Sequence, residues 1–209
     1  MCNTAKQWCD DGFTGMTYSS PACSVQGHPC EIIKEHCEAD HSNGNADGDE
    51  DQDTVNLDKL RLEAVAESNR LRAIHGADPL EENDCINGMA QAWAEHLAAT
   101  RSFQHSSADG RAFTGENIYF AFDSQGMHGV SGKDAIDSWY SEIKDWDFVF
   151  SQSTGGVTGH FTQLVWKSSQ RVGHGFATSQ DCQTLYVVAN YDPAGNYEGE
   201  YAENVGNPN

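Results

Sequence analysis

Four side chains combine ionisable chemistry with the ability to ligate metal, and each sits beside glycine-punctuated or aromatic sequence: His105, Glu116, Glu142 and His160. Glu116 lies in Gly115-Glu116-Asn117-Ile118-Tyr119, an otherwise apolar stretch, so burying its carboxylate is expensive without a hydrogen-bond or metal partner. His160 likewise interrupts an apolar face, in Thr158-Gly159-His160-Phe161-Thr162-Gln163-Leu164-Val165-Trp166. Taken singly, each reads as a satisfied structural residue, and spacing along the chain does not by itself bring the four together. A second group is aromatic. Trp146, Phe148, Val149 and Phe150 precede Ser151-Gln152-Ser153-Thr154-Gly155-Gly156, and such a cluster is either a lid over the core, which the pattern favours, or an exposed patch for an apolar ligand.

The elements that must position these residues follow from hydrophobic periodicity. Leu57, Leu60, Ala64, Leu71 and Ile74 recur near helical spacing from about Thr54, and Gly76 followed by Pro79 supplies a stop. A second helix is expected from about Asp84 to Thr100, burying Ile86, Met89, Ala90, Trp93, Ala94 and Leu97. Ser131 with Asp134 three residues later resembles a capping box opening a third helix, whose inner face is Ala135, Ile136, Trp139, Tyr140 and Ile143 and which also carries Glu142. A short helix over 159–167 precedes two strands, 172–177 and 184–191, joined by a polar turn. Helices and antiparallel strands sharing one core make an α+β layered domain.

The chain has 209 residues and a net charge of −20, which suits one globular domain with an appendage. Twelve Lys and Arg against 32 Asp and Glu build no basic stripe, which argues against nucleic acid and against anionic membranes. No run approaches the ~18 apolar residues of a membrane span, and Met1-Cys2-Asn3-Thr4 lacks the layout of a signal peptide. No N-x-[ST] sequon occurs.

Five of the seven cysteines, Cys2, Cys9, Cys23, Cys30 and Cys37, fall within residues 1–40, while Cys85 and Cys182 stand apart. Gaps of 6, 13, 6 and 6 residues lack the close pairs of zinc ligands, so a small disulfide-stapled module is expected over 1–40. Its odd count leaves one thiol unpaired, pairs one with Cys85 or Cys182, or reflects a partner lost with a missing leader. Residues 41–53 are polar and acidic without the order of a calcium loop, and read as a solvated linker to a domain over 54–209.

Gly159-His160-Phe161-Thr162-Gln163-Leu164-Val165-Trp166-Lys167-Ser168-Ser169 and Val188-Ala189-Asn190-Tyr191-Asp192-Pro193-Ala194-Gly195-Asn196-Tyr197 resemble, in order and spacing, the two signatures of the CAP superfamily: cysteine-rich secretory proteins, antigen 5 and pathogenesis-related 1. Gly115-Glu116-Asn117-Ile118 upstream and Trp139-Tyr140-Ser141-Glu142-Ile143 between them extend the match. Tyr201-Ala202-Glu203-Asn204-Val205 makes it most similar to the Golgi-associated plant pathogenesis-related branch. The first helix departs from the pattern, with Ser68 at a position often held by histidine and Asn69 and Arg72 retained. The resemblance implies a three-layer α-β-α sandwich and a broad cleft lined by His105, Glu116, Glu142 and His160.

On that basis the expected site is a His/Glu cleft able to take zinc or another divalent cation, weakening below about pH 6 as imidazoles protonate. The plainer alternative is a polar cleft in which each Glu bonds a His and nothing is bound. A protease or other hydrolase is the lesser alternative, since H-E-x-x-H, a Ser-His-Asp order and G-x-S-x-G are all missing. The family implies binding more than catalysis, with sterol or lipid docking near Trp146, Phe148 and Phe150 as a further expectation. A third possibility is a pure recognition protein with a protein partner. Clustered cysteines and family point to an extracellular, secreted protein, with a Golgi membrane-associated protein as the alternative.

Overall fold

The computed structural model describes residues 57–112 and 114–209; the expected cysteine-rich module and acidic linker lie outside the described residues. Helix α1, Leu57–Ile74, buries Leu57, Leu60, Ala64 and Leu71, and Gly76 at φ +64° turns the chain out of it, a left-handed conformation open to glycine. Helix α2, Asp84–Thr100, has the expected bounds. Its start is set by Asn83, whose side-chain oxygen accepts from the backbone N–H of Cys85 and of Ile86, both at 3.1 Å. Ile86, Met89, Ala90, Ala94 and Leu97 are buried as expected. Trp93 is only half-buried: it sits at the rim of the apolar stripe, where its indole N–H can donate to the Gln104 carbonyl at 3.1 Å.

Helix α3, Lys133–Tyr140, has Gly132 as its N-cap with no side-chain cap bond, and the anticipated Ser131–Asp134 pair forms just ahead of it, Asp134 accepting from the Ser131 N–H and the Ser131 hydroxyl from the Lys133 N–H, each at 3.2 Å. It tightens into a 3-10 turn, Ser141–Asp145, that carries Glu142. Helix α4, Gly159–Leu164, stops three residues short of expectation. The cause is Arg72, which is fully buried and draws the carbonyls following α4 away from helical partners. Its guanidinium donates to the carbonyls of Leu164, Trp166, Ser169 and Asp78 at 2.8–3.0 Å. Burial pulls its pKa down to about 10, still charged at neutral pH.

Strands β5, Arg171–Thr178, and β6, Thr184–Asp192, pair antiparallel as expected. The strand β2, Gly115–Phe122, joins the other edge of β6 antiparallel, and the two-residue β1, Glu81–Glu82, runs parallel to β5, giving the order β1-β5-β6-β2. A separate hairpin pairs β3, Trp146–Asp147, with β4, Gln152–Ser153. A last short helix α5 spans Tyr201–Asn204.

Alternation sorts the strands into two faces. Val172, Phe176, Leu185, Val187, Ala189 and Tyr191 pack beneath α1, α3 and α4, while Ile118, Ala177, Tyr186 and Val188 meet α2. On β5 the α2 face also holds Gly173 and Gly175, where a Cβ would collide with the α2 backbone at Ile86–Asn87 and Ala90–Gln91. The result is the three-layer α-β-α sandwich.

Candidate functional site

The carboxylate of Glu116, at the start of β2, is 1 % exposed and accepts three hydrogen bonds. His105 Nδ1 donates to it at 2.8 Å, the Ser106 N–H at 2.9 Å and the Ser106 hydroxyl at 2.6 Å. The loop carrying His105 leaves α2 through Arg101 at φ +50°, and Arg111 ties it by donating to the carbonyls of Ser106 and Thr114. The buried acid thus has its partners, and the His105 ring, 54 % exposed, is left facing solvent on its other side.

Glu142 makes an equivalent pair from the opposite layer. One oxygen accepts from His160 Nδ1 at 2.6 Å; the other accepts from the backbone N–H of His160 and of Phe161 at 3.0 and 3.1 Å. Helix α4 has no side-chain cap of its own, so the Glu142 carboxylate both satisfies its first turn and aligns the histidine that this turn carries. The His160 ring lies nearly parallel to Trp139, and Trp139 donates its indole N–H to the Ile118 carbonyl of β2 at 3.2 Å. Asn117, next to Glu116, donates to the His160 carbonyl at 3.0 Å, while Asn196 donates to the Gly159 carbonyl at 2.8 Å and accepts from Thr162.

Those contacts tie the beginning of β2 to α4 and α3. What they do not form is one four-residue cluster: among the described residues no three of His, Cys, Asp and Glu converge as a metal group. Both carboxylates are instead engaged by imidazole Nδ1, backbone and serine. Ionised carboxylates only accept, so each Nδ1 carries the proton, and in the neutral ring the lone pair falls on Nε2. Neither Nε2 has a hydrogen-bond partner among the described residues. Sequence reading singled out the four ionisable groups but not Ser106, Asn117, Trp139 and Asn196, which position them. Asn117 was signalled by its place beside Glu116 in an apolar strand; a contact from Ser106 to Glu116 has no local signature.

The aromatic cluster divides. Trp146 is buried against Phe161 and Tyr201, and Phe148 is half-buried, stacked on His75 and edge-on to Phe161. Phe150 and Val149 are 71 % and 85 % exposed at the hairpin tip, where Asp147 accepts from both of their backbone N–H groups. The first helix keeps Arg72 and Asn69 in structural roles, Asn69 pairing with both the N–H and the carbonyl of Leu80. Ser68, at the departing position, is buried, and its hydroxyl has no hydrogen-bond partner among the described residues.

Residues 65–191 match the model of the CAP family, described as the cysteine-rich secretory protein family. This chain belongs to that family. It is 41 % identical over 145 residues to the Golgi-associated plant pathogenesis-related protein 1 of Homo sapiens, covering 68 % of this chain and 90 % of that one. It is 30 % identical over 162 residues to the secreted protein RBT4 of Candida albicans, covering 76 % of this chain but 41 % of the relative. A crystal structure of NaASP2 with Zn2+ shares the fold at a TM-score of 0.52 and 23 % identity, covering 72 % of this chain and 84 % of that one. CAP relatives thus include both secreted and Golgi-associated proteins, and among the described residues no helix is long and apolar enough to cross a membrane.

Electrostatics give the CAP site a pH signature. Burial pushes the Glu116 carboxyl up, but donation from His105 and Ser106 outweighs it and leaves the pKa below the ordinary glutamate value; Glu142 behaves alike, with His160 and the α4 N–H groups prevailing over burial. A lowered folded pKa contributes stability that is present above the unfolded value of about 4.3 and lost as pH falls through the folded one. Denaturation midpoints should therefore drop on acidification below about pH 4.5. Glu142→Gln should flatten that dependence and cost roughly 1–3 kcal/mol at neutral pH, and urea titrations of both proteins across pH 3–7 measure it.

Proposed function

We propose that this protein acts by binding rather than by catalysis, with His105 and His160 offering their Nε2 atoms to a divalent cation, zinc foremost. The observation that carries this reading is the pairing of both Nδ1 atoms with carboxylates, which turns the Nε2 atom of each ring away from its carboxylate. A carboxylate behind a ligating histidine fixes the tautomer and raises its basicity, so Glu116 and Glu142 fit as supports of the ligands. Two nitrogen donors suit zinc and leave positions for water or a ligand atom. The Zn2+ in NaASP2, which shares the fold, is consistent with this. A hydrolase at the same cleft is the lesser reading, since H-E-x-x-H, a Ser-His-Asp order and G-x-S-x-G are all missing from the sequence.

Calorimetry at neutral pH tests the reading. Zinc should give a saturable heat that His105→Ala and His160→Ala each abolish at the cleft and that Glu142→Gln weakens 10- to 100-fold. Absence of that heat in the wild type, or its persistence in both histidine variants, overturns it.

A second binding mode is supported by the hairpin tip, where Val149 and Phe150 project exposed from a turn held by Asp147. We propose that this tip enters the apolar layer of neutral, sterol-containing membranes, since a charge of −20 disfavours anionic lipid. Flotation with phosphatidylcholine–sterol vesicles should carry the wild type and leave a Val149→Ser, Phe150→Ser variant behind; equal behaviour of the two removes the proposal. The cysteine content and the secreted relatives support an extracellular location, and the human relative supports a Golgi membrane as the alternative.

A further inference from the structure

His75 lies in the turn after α1, is 1 % exposed, and takes no part in the cleft described above. Both of its ring nitrogens are engaged, Nδ1 with the Gly206 carbonyl at 2.7 Å and Nε2 with the Tyr140 hydroxyl at 3.0 Å. A carbonyl only accepts, so in the neutral ring Nδ1 carries the proton and Nε2 accepts from the phenol. Three aromatic rings enclose it. Phe148 stacks on it at 6.0 Å between centroids, and Tyr140 and Phe161 meet it edge-on at 5.7 and 5.4 Å.

The imidazole thereby joins the end of α3, the β3–β4 hairpin and the segment after α5. Two side chains root the hairpin in the core, Trp146 on Phe161 and Tyr201, and Phe148 on His75. Of these contacts only the second can gain a charge in mildly acidic solution. The chain after Gly206 returns to the same turn, Asn209 donating its backbone N–H to the Ile74 carbonyl at 2.9 Å.

The surroundings do not compensate a charge on this ring. The Lys167 ammonium and the His75 carbonyl crowd the same glycine, since a Cβ on Gly206 would stand 3.1 Å from Lys167 Nζ and 2.2 Å from the His75 oxygen. Arg70, which acts on the Tyr140 phenol, is paired with Glu67; Arg72 spends its N–H groups on backbone carbonyls; and Asp147, beside Phe148, is turned to the amides of Val149 and Phe150. Among the described residues no carboxylate forms an ion pair with His75.

We propose that His75 is an acid-operated latch: its neutral ring holds Phe148 and the segment 206–209 against the core, and protonation releases both, with Trp146 as the pivot about which the hairpin swings out. A proton on Nε2 meets a hydroxyl that donates to that atom, so the bond has to be reversed, and the new charge lies among aromatic rings beside Lys167. Burial above all, with Lys167 adding to it, holds the imidazole below its ordinary pKa, against a partial offset from the Gly206 carbonyl. A released ring regains the ordinary value of about 6.5, so the open form takes up protons first as pH falls through it. The latch is therefore firm at neutral pH and weakens with acid. Released, Phe148 joins Val149 and Phe150, and the tip carries three exposed apolar side chains instead of two. This device stands apart from the vesicle reading above, because it operates and is measured in water without lipid.

Amide hydrogen exchange of the full chain at pH 7 and pH 5, corrected for the intrinsic rate, tests it. That window lies above the one in which Glu116 and Glu142, with their lowered pKa values, lose their charge. Protection over 147–154 and 206–209 should fall at pH 5 by up to about 25-fold, while the paired strands β5 and β6 keep theirs. His75→Gln keeps a donor and an acceptor but cannot be charged, and should show no such fall. Lys167→Gln keeps the imidazole and removes the neighbouring cation, so its fall should be smaller than that of the wild type. Equal protection of the wild type at both pH values overturns the proposal, as does a loss that spreads equally to β5 and β6, or a fall of wild-type size in either variant.

Discussion

A guanidinium with no exposed surface has to find protein acceptors for its N–H groups, and Arg72 finds four backbone carbonyls in two places at once. One is Asp78, in the turn after α1; the other three lie between Leu164 and Ser169, directly after α4. Leaving any of them unmet inside the core costs about 1–3 kcal/mol each, and a lysine could not reproduce the fork. The charge therefore locks the long helix to the segment that carries His160 on one side and enters β5 on the other. The early end of α4 and the entry to the central strand both follow from this contact.

From that fixed segment the site is built outward. Because α4 is short and lacks its own cap, its first turn depends on a carboxylate supplied by the 3-10 turn after α3, and the same Glu142 orients the imidazole. Trp139 and Asn117 then bind this unit to β2, where Glu116 performs the matching task for His105. Each acid has a structural duty and a duty to its histidine. This division explains how burial, which opposes ionisation, leaves both carboxyls with lowered rather than raised pKa values.

Much of the fold was legible because its signals are local. The apolar stripes of α1 and α2, the Ser131–Asp134 pair and the apolar run of β6 each lie within a few turns or strand residues, and α2 and β6 form where their patterns place them, while α3 gives way to a 3-10 turn before Glu142. Strand β2 was harder to read: Gly-Glu-Asn-Ile-Tyr-Phe-Ala-Phe carries apolar residues on both faces, so it lacks the alternation of a half-buried strand. The four ionisable residues of the site were visible as misfits in apolar surroundings, but their arrangement as two separate pairs was not. Pairing depends on Ser106, Asn117 and Trp139 bridging layers, and contacts of that kind leave no mark in spacing. Trp146 and Phe150, neighbours in one aromatic run, part company for a similar reason: the Asp147 turn between them sends one inward and the other to solvent.

The central claim is that two carboxylate-held imidazoles present Nε2 lone pairs, and nitrogen-15 NMR of the histidine rings reads this directly. At neutral pH the account predicts the Nδ1–H tautomer for both His105 and His160, with added zinc shifting only their Nε2 resonances among the ring nitrogens of these two residues. Nε2–H tautomers, or zinc shifts that bypass both rings, would contradict it.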